Sequence, residues 1–206
     1  MPNLFTSIRS RFHPLWRLRK SASFRKFQAK FDRDVFTRIP GTKAKVAVKL
    51  IRDASWIVNS SALEPDITAV FLDIYKEINP KFFWDIGGNI GFYSWLTLSY
   101  VPDVKVVIFE ADKTNHRLIQ KTIAKNKFSN AKVLHVAVSD SVGTVEFLVD
   151  AASGATGSIN EVNNLSDTSS LHHVYGLNTV TVVDSITLDS LVAQGYQVPE
   201  LIKIDV

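Results

Sequence analysis

Asp85-Ile86-Gly87-Gly88-Asn89-Ile90-Gly91 is the stretch whose residue types and spacing could do chemistry, with Glu110 as its counterpart further along the chain. Phe82-Phe83-Trp84-Asp85-Ile86 is a short apolar run and reads as a buried strand. The glycines turn the backbone sharply at its tip, and Gly91 opens a helix to about Tyr100 whose first N–H groups face the crevice. Gly87 and Gly91 permit a positive φ or a close backbone approach to a ligand. Lys105-Val106-Val107-Ile108-Phe109 reads as a second strand ending at Glu110, near the offset at which such folds hold ribose hydroxyls with a carboxylate. Ligands of open α/β sheets bind at the carboxyl ends of the strands, where both features fall.

Two ligand chemistries compete for such a crevice. A dinucleotide site requires G-x-G-x-x-G, so that the second glycine lets the backbone approach a pyrophosphate. Counting from Gly87 puts Asn89 in the second glycine's place, and counting from Gly88 puts Ile90 there. S-adenosylmethionine (AdoMet) has no pyrophosphate; its methionine end carries an ammonium, for which Asp85 is an acceptor, and a carboxylate, for which the turn N–H groups are donors. The spacing therefore favours AdoMet over NAD. The plainer competing reading is a tight strand-to-helix turn with no ligand.

The surrounding elements alternate in kind. Ile67, Val70, Phe71, Ile74, Tyr75 and Ile78 recur at helical spacing, with Pro65 in the first turn, Glu64 and Asp66 complementing the dipole, and Pro80 as the stop. Thr114 is the expected cap of a helix carrying Leu118, Ile119 and Ile123. Ala131 to Val138 is expected to form a third strand, with His135 packed within it. Ser139–Gly143 turns into a strand over Thr144–Val149. Asp150 to Asn178 is polar, rich in Ser and Asn, and reads as a long loop. A strand over Thr179–Val183, a short helix over Leu188–Ala193 and a buried strand over Leu201–Val206 follow. Strands alternating with helices imply a mostly parallel sheet with right-handed crossovers, the Rossmann-like α/β class.

Hydrophobic residues make up 46% and charged residues 21% of the 206, a balance that suits a globular protein and not a disordered chain. The absence of cysteine removes disulfides and thiolate metal sites, and fits a cytoplasmic protein. No run is long and apolar enough to be read as a membrane span. Residues 1–52 hold 14 Lys/Arg against Asp32 and Asp34, a local charge of +12 in a chain of net +4, so the remainder is acidic. Phe24, Phe27, Phe31 and Val35 recur at helical spacing among these cations, and Ile8, Phe12 and Trp16 form a shorter stripe interrupted at Pro14. Residues 1–52 thus read as a basic amphipathic extension of a domain over 53–206. It either packs its aromatics on the domain or makes peripheral contact with an anionic membrane or a partner. It has no nucleic-acid reader motif.

In the order and spacing of its motifs the chain resembles the FkbM-type AdoMet-dependent methyltransferases over roughly Glu64 to Val206. The likeness rests on Glu64-Pro65-Asp66, on Trp84 to Ser94, on Phe109-Glu110-Ala111 with Asn115, and on Leu118 and Asn126. It continues through Ala137-Val138-Ser139-Asp140 and Gly143, Thr187-Leu188-Asp189-Ser190-Leu191, and Leu201 to Val206. Ala111 stands where the family usually has a proline, and Gly88 where it commonly has an alanine. The resemblance implies a class I methyltransferase fold and O-methylation of a hydroxyl on a sugar, glycan, lipid or polyketide-like acceptor. It places Asp85, Gly87, Asn89 and Gly91 at the methionine end of AdoMet, Glu110 on the ribose, Ala137 and Val138 near the adenine, and Asp205 on the sulfonium side. The family continues its sheet past Lys203-Ile204-Asp205-Val206, so the sheet is expected to be incomplete at the C-terminus, with an exposed apolar edge.

The expected reaction is in-line transfer of the methyl group to an acceptor oxygen, for which the protein supplies alignment and a dry pocket. A departing hydroxyl proton calls for a general base. Asp205, His172 and His173 are the candidates; a solvated loop is the plainer place for the two histidines. His13, His116 and His135 lack ligand-like spacing, and no metal is expected. The alternatives are an NAD-type oxidoreductase, or a non-catalytic module whose basic arm binds a membrane or partner.

Overall fold

A computed structural model describes residues 21–58, 65–150, 157–159 and 178–205. In chain order the elements are α1 (Ala22–Phe31), β1 (Asp34–Arg38), β2 (Lys45–Lys49), α2 (Ala54–Val58), α3 (Pro65–Ile78), β3 (Phe82–Ile86), α4 (Phe92–Tyr100), β4 (Lys105–Phe109), α5 (Lys113–Asn126), β5 (Ala131–Leu134), β6 (Ala137–Val138), β7 (Gly143–Asp150), β8 (Gly157–Ile159), β9 (Asn178–Ile186), α6 (Leu188–Ala193) and β10 (Leu201–Ile204).

The central sheet has the order β10-β3-β4-β5, and every pairing in it is parallel. The chain moves outward from β3 to β5 and then returns to the other side of β3. The tip of β3 is therefore a topological switch point, where the turns on either side diverge and leave a crevice. Phe83, Val106 and Ile108 face one side of the sheet and bury Phe71, Tyr75, Trp95, Leu96 and Ile119 against it. Trp84, Ile86 and Phe109 face the other side, where Leu191 of α6 covers them. Alternation along β3 thus puts apolar side chains on both faces, as a parallel sheet requires.

A second sheet, ordered β6-β9-β7-β8, adjoins the first. It corrects the strand expected over Ala131–Val138. Pairing with β4 ends at Leu134, and Ala137 and Val138 turn away to pair with Ser185 and Ile186 of β9. β9 runs on to Ile186, where the sequence suggested an end at Val183, because β7 pairs with it from Asn178 to Ser185 and β6 pairs with Ser185 and Ile186. β8 is a strand inside the segment read as a loop, held by antiparallel pairing with β7. Residues 151–156 and 160–177 of that segment, with His172 and His173, lie outside the described residues, as do His13 and the stripe of Ile8, Phe12 and Trp16.

The helical stripe of Phe24, Phe27 and Phe31 forms α1, but Val35 belongs to β1, since the helix ends at Asp32. β1 and β2 pair as an antiparallel hairpin, and Val46 and Val48 are fully buried in the same core as Phe83. The boundary expected between Arg52 and Asp53 crosses a buried ion pair, Arg52 Nε to Asp53 Oδ1 at 2.7 Å. Residues 34–52 are thus packed structure and not an appended arm. Of the apolar positions on α3 only Phe71 and Tyr75 are buried, while Ile67, Val70, Ile74 and Ile78 are exposed. β10 lies at the edge of the described sheet with Ile202 and Ile204 exposed, so it is not the buried strand that the sequence suggested. No helix among the described residues is long and apolar enough to cross a membrane.

Candidate functional site

The site is built at the tips of β3, β4 and β10. Gly87, Asn89 and Gly91 all have positive φ, at 70°, 54° and 82°, so the turn after β3 alternates in hand at every second residue. Only glycine takes such angles freely, and asparagine is the residue that tolerates them next best. Gly91 is needed for a second reason. A Cβ there would lie 2.6 Å from the Trp95 indole, which is fully buried and donates to Ile90 O at 2.7 Å.

The turn N–H groups were expected to be free for a ligand carboxylate, and three are already engaged. Gly87 and Gly88 both donate to Phe109 O at 3.0 Å, which ties the turn to the tip of β4. Asn89 donates to Glu110 Oε2 at 2.6 Å. An anionic ligand is therefore left with the start of α4, where helix geometry leaves N–H groups without carbonyl partners.

Glu110 is 5% exposed and receives a second bond, from Asp112 N to Oε1 at 2.7 Å. A carboxylate has roughly four acceptor positions, so two bonds leave capacity for two further donors. Burial pushes its pKa up to about 8, against the pull of the two backbone donors. Asp112 also caps α5, accepting from Asn115 N at 2.8 Å, so the cap lies two residues before the expected Thr114. Its carboxylate reaches the first-turn N–H groups from the N-cap position, which Thr114, already inside the helix, cannot do.

Asp85 is 1% exposed. Ser94 Oγ donates to its Oδ2 at 2.6 Å, whereas Oδ1 has no partner among the described residues. A buried carboxylate oxygen in that state is costly unless a ligand donates to it. Burial raises the Asp85 pKa, and the ammonium of Lys203 opposes the rise. Lys203 stands opposite Asp85 in the register of β10 and β3. Lys203 Nζ also lies 2.9 Å from Asp205 Oδ2, and Asp205 is 73% exposed at the strand end.

A line of buried polar groups supports the turn from behind. Arg52 grips Asp53 through two bonds of 2.7 and 3.0 Å and donates to Asn115 Oδ1 at 2.6 Å; Asn115 Nδ2 in turn reaches Asn89 Oδ1 at 3.2 Å. A guanidinium placed this way fixes the Asn115 amide, and through it the side chain of Asn89 in its left-handed turn position.

The structure thus brings Asp85, Gly87, Asn89, Gly91 and Glu110 together around one crevice, with Asp205 at its rim. Ala137 is buried, but both it and Val138 belong to the second sheet and not to the end of a central strand. Lys203, Arg52 and Asp53 were not anticipated. Lys203 had a signal, since it shares a strand face with Asp205; the other two lie where only tertiary packing could place them. His116 and His135, unrelated in sequence, have ring centres 5.0 Å apart, with His135 Nε2 3.0 Å from Ala111 O. His135 is therefore held beside the Glu110 loop and not within a strand. Burial, followed by the neighbouring His135, lowers the pKa of His116.

The family model for the methyltransferase FkbM domain matches residues 85–206, more than half of the chain. The chain belongs to the FkbM methyltransferase family. The matched region begins at Asp85 and includes the glycine turn, Glu110 and Asp205, so the crevice lies within the FkbM domain. A solved structure from Staphylococcus aureus, a “putative caffeoyl-CoA O-methyltransferase”, is similar at 22% identity and a TM-score of 0.33. That similarity covers 37% of this chain and 38% of that one. No protein of curated function matches the FkbM chain.

Proposed function

We propose that the crevice binds AdoMet and that the protein directs transfer of its methyl group to a hydroxyl oxygen. The acceptor class is a sugar, a glycan, a lipid or a polyketide-like molecule, and the setting is cytoplasmic. The reading is carried by the arrangement at the strand tips: a buried Asp85 oxygen without a donor on one side of the glycine turn, and a buried Glu110 with spare acceptor capacity on the other.

The residues divide the work by charge. Asp85 would accept from the ammonium of the methionine end, which supplies the donor its Oδ1 lacks. The first turn of α4 would receive the carboxylate. Glu110 would take both ribose hydroxyls in its two remaining acceptor positions. Ala137 and Val138 would border the adenine, and Asp205 would lie on the sulfonium side at the rim. When bound, AdoMet supplies a methyl group already activated by its sulfonium, so no residue has to activate the donor. The protein's own tasks are to orient, to exclude water and to accept the acceptor's proton. Asp205, exposed and 2.9 Å from the Lys203 ammonium, is the described candidate for that last role. His172 and His173 are the other two.

The test is incubation with AdoMet labelled in the methyl group and a panel of hydroxylated acceptors. Alkali-stable label should enter one acceptor class, and Asp205→Asn should slow the transfer if Asp205 is the base. Label on none of the panel, with AdoMet shown to be bound, would overturn the transferase part of the reading. An NAD-type oxidoreductase is disfavoured by Asn89, whose side chain fills the position of the second dinucleotide glycine.

A further inference from the structure

Outside the crevice, one surface combines exposed aromatics with a concentration of cations drawn from two distant parts of the chain. On α1, Phe27 and Phe31 are 50% and 46% exposed, with ring centres 4.8 Å apart, and Lys30 Nζ lies 5.4 Å from the Phe31 ring centre. Phe36, on β1, is 47% exposed, and Lys125 Nζ of α5 lies 5.4 Å from the centre of its ring. α5 carries Lys113, Arg117, Lys121 and Lys125 at four-residue spacing with no acidic residue in the helix, which sets a basic stripe along its length.

Asp34 is the point at which these elements join. Arg117, Lys121 and Lys49 all contact its carboxylate. Chiefly through Arg117, they hold its pKa well below the usual carboxylate range. One carboxylate answers three cations, so two positive charges are left in excess at this point. Asp34 lies three residues after Phe31, which keeps the backbone of Phe31, at the end of α1, within roughly 10 Å of that of Asp34. Asp32 and Asp34 are the only carboxylates in residues 1–52, and Asp53 just beyond them is paired with Arg52. Asp32 is already engaged by Ile51 N and Arg52 N.

Exposed phenylalanines cost free energy in water, and cations crowded on one acid repel one another. A single environment relieves both: an anionic bilayer surface, where the rings enter the acyl boundary and the lysine ends stay with the headgroups. We infer that the face formed by α1, β1 and the basic stripe of α5 docks peripherally on an anionic membrane. Nucleic acid would satisfy the cations but would leave the paired phenylalanines of a helix without an apolar phase.

The test is cosedimentation of the full chain with phosphatidylcholine vesicles, with and without about one-third phosphatidylserine. Binding is expected only with phosphatidylserine, and it should weaken as salt rises. Lys121→Gln with Lys125→Gln should reduce binding roughly five-fold per cation removed. Phe27→Ser with Phe31→Ser should reduce it roughly ten-fold or more. Arg117 and Lys49 still hold Asp34 in the lysine variant, and the two phenylalanines are half-exposed. An unchanged thermal midpoint should confirm that both variants fold. Equal binding to neutral vesicles, or no binding to either kind, would overturn the inference. So would a phenylalanine variant that binds vesicles normally, or wild-type protein that an RNA duplex strips from them while the phenylalanine variant binds that duplex equally well.

Discussion

The main-chain N–H of Asn89 donates to Oε2 of Glu110 at 2.6 Å, so the turn after one strand and the carboxylate after the next form one unit. Gly87 and Gly88 strengthen the link by sharing Phe109 O. The crevice is consequently stiff on its turn side before any ligand arrives, and binding need not order that loop.

The first prediction follows from the buried state of Glu110, whose pKa burial raises from 4.5 to about 8. Between those values the folded protein holds a proton that the unfolded chain has released, so this group makes stability fall as pH rises across the interval and level off above it. Urea midpoints measured from pH 5 to pH 8 should show the decline, and Glu110→Gln should flatten it. Hydroxyl donors favour the ionised carboxylate, so AdoMet binding near pH 7 should release protons. Calorimetry in buffers of different ionisation enthalpy reads that release.

Gly91 should not tolerate a side chain. Gly91→Ala combines a φ of 82° with a Cβ placed 2.6 Å from the Trp95 ring, and should cost about 2–4 kcal/mol in denaturant unfolding. Gly143→Ala is the control, since its nearest contact is Ser185 Oγ at 4.0 Å; it should stay within about 0.5 kcal/mol of wild type.

Gly88 and Ile108 should behave as a matched pair. A Cβ at Gly88 would lie 2.3 Å from Ile108 Cγ2, so Gly88→Ala should cost about 1–3 kcal/mol. Ile108→Ala removes that methyl and alone should cost about 2–5 kcal/mol. The double variant should be clearly more stable than the two costs added together, as a double-mutant cycle measures.

Lys203 should act on the ligand through Asp85. Lys203→Met removes the opposing charge, so the Asp85 pKa, already raised by burial, should rise further. AdoMet affinity near pH 7 should drop on the order of ten-fold and recover at higher pH than in wild type, with Lys203→Arg restoring most of it. Affinity equal to wild type at every pH would show that Lys203 plays no part.

Much of this site could be read from the sequence because its signals are local. Asp85 at a strand tip, glycines at fixed offsets and Glu110 ending the next apolar run are each visible within a few residues, and the structure brings them together. The features that are not legible locally depend on distant partners. Ala137 and Val138 continue an apolar stretch, and nothing nearby shows that β9 captures them into another sheet. Val46-Ala47-Val48 is an apolar run too short, between Lys45 and Lys49, to mark a buried strand on its own, and pairing with β1 is what makes it one. The apolar breadth of α3 exceeds what the sheet covers, so periodicity alone overstated its buried face. Asp112, three residues before Asn115, is a cap legible in the sequence, and Thr114 offers a competing hydroxyl two residues later.

Calorimetric titration with AdoMet, its demethylated product and NAD tests most directly whether Asp85 and Glu110 frame an AdoMet pocket. The first two should bind with dissociation constants on the order of micromolar, NAD should show no saturable binding, and Glu110→Ala should lose at least roughly ten-fold in affinity. Tight NAD binding, or AdoMet binding that Glu110→Ala leaves untouched, would contradict that pocket.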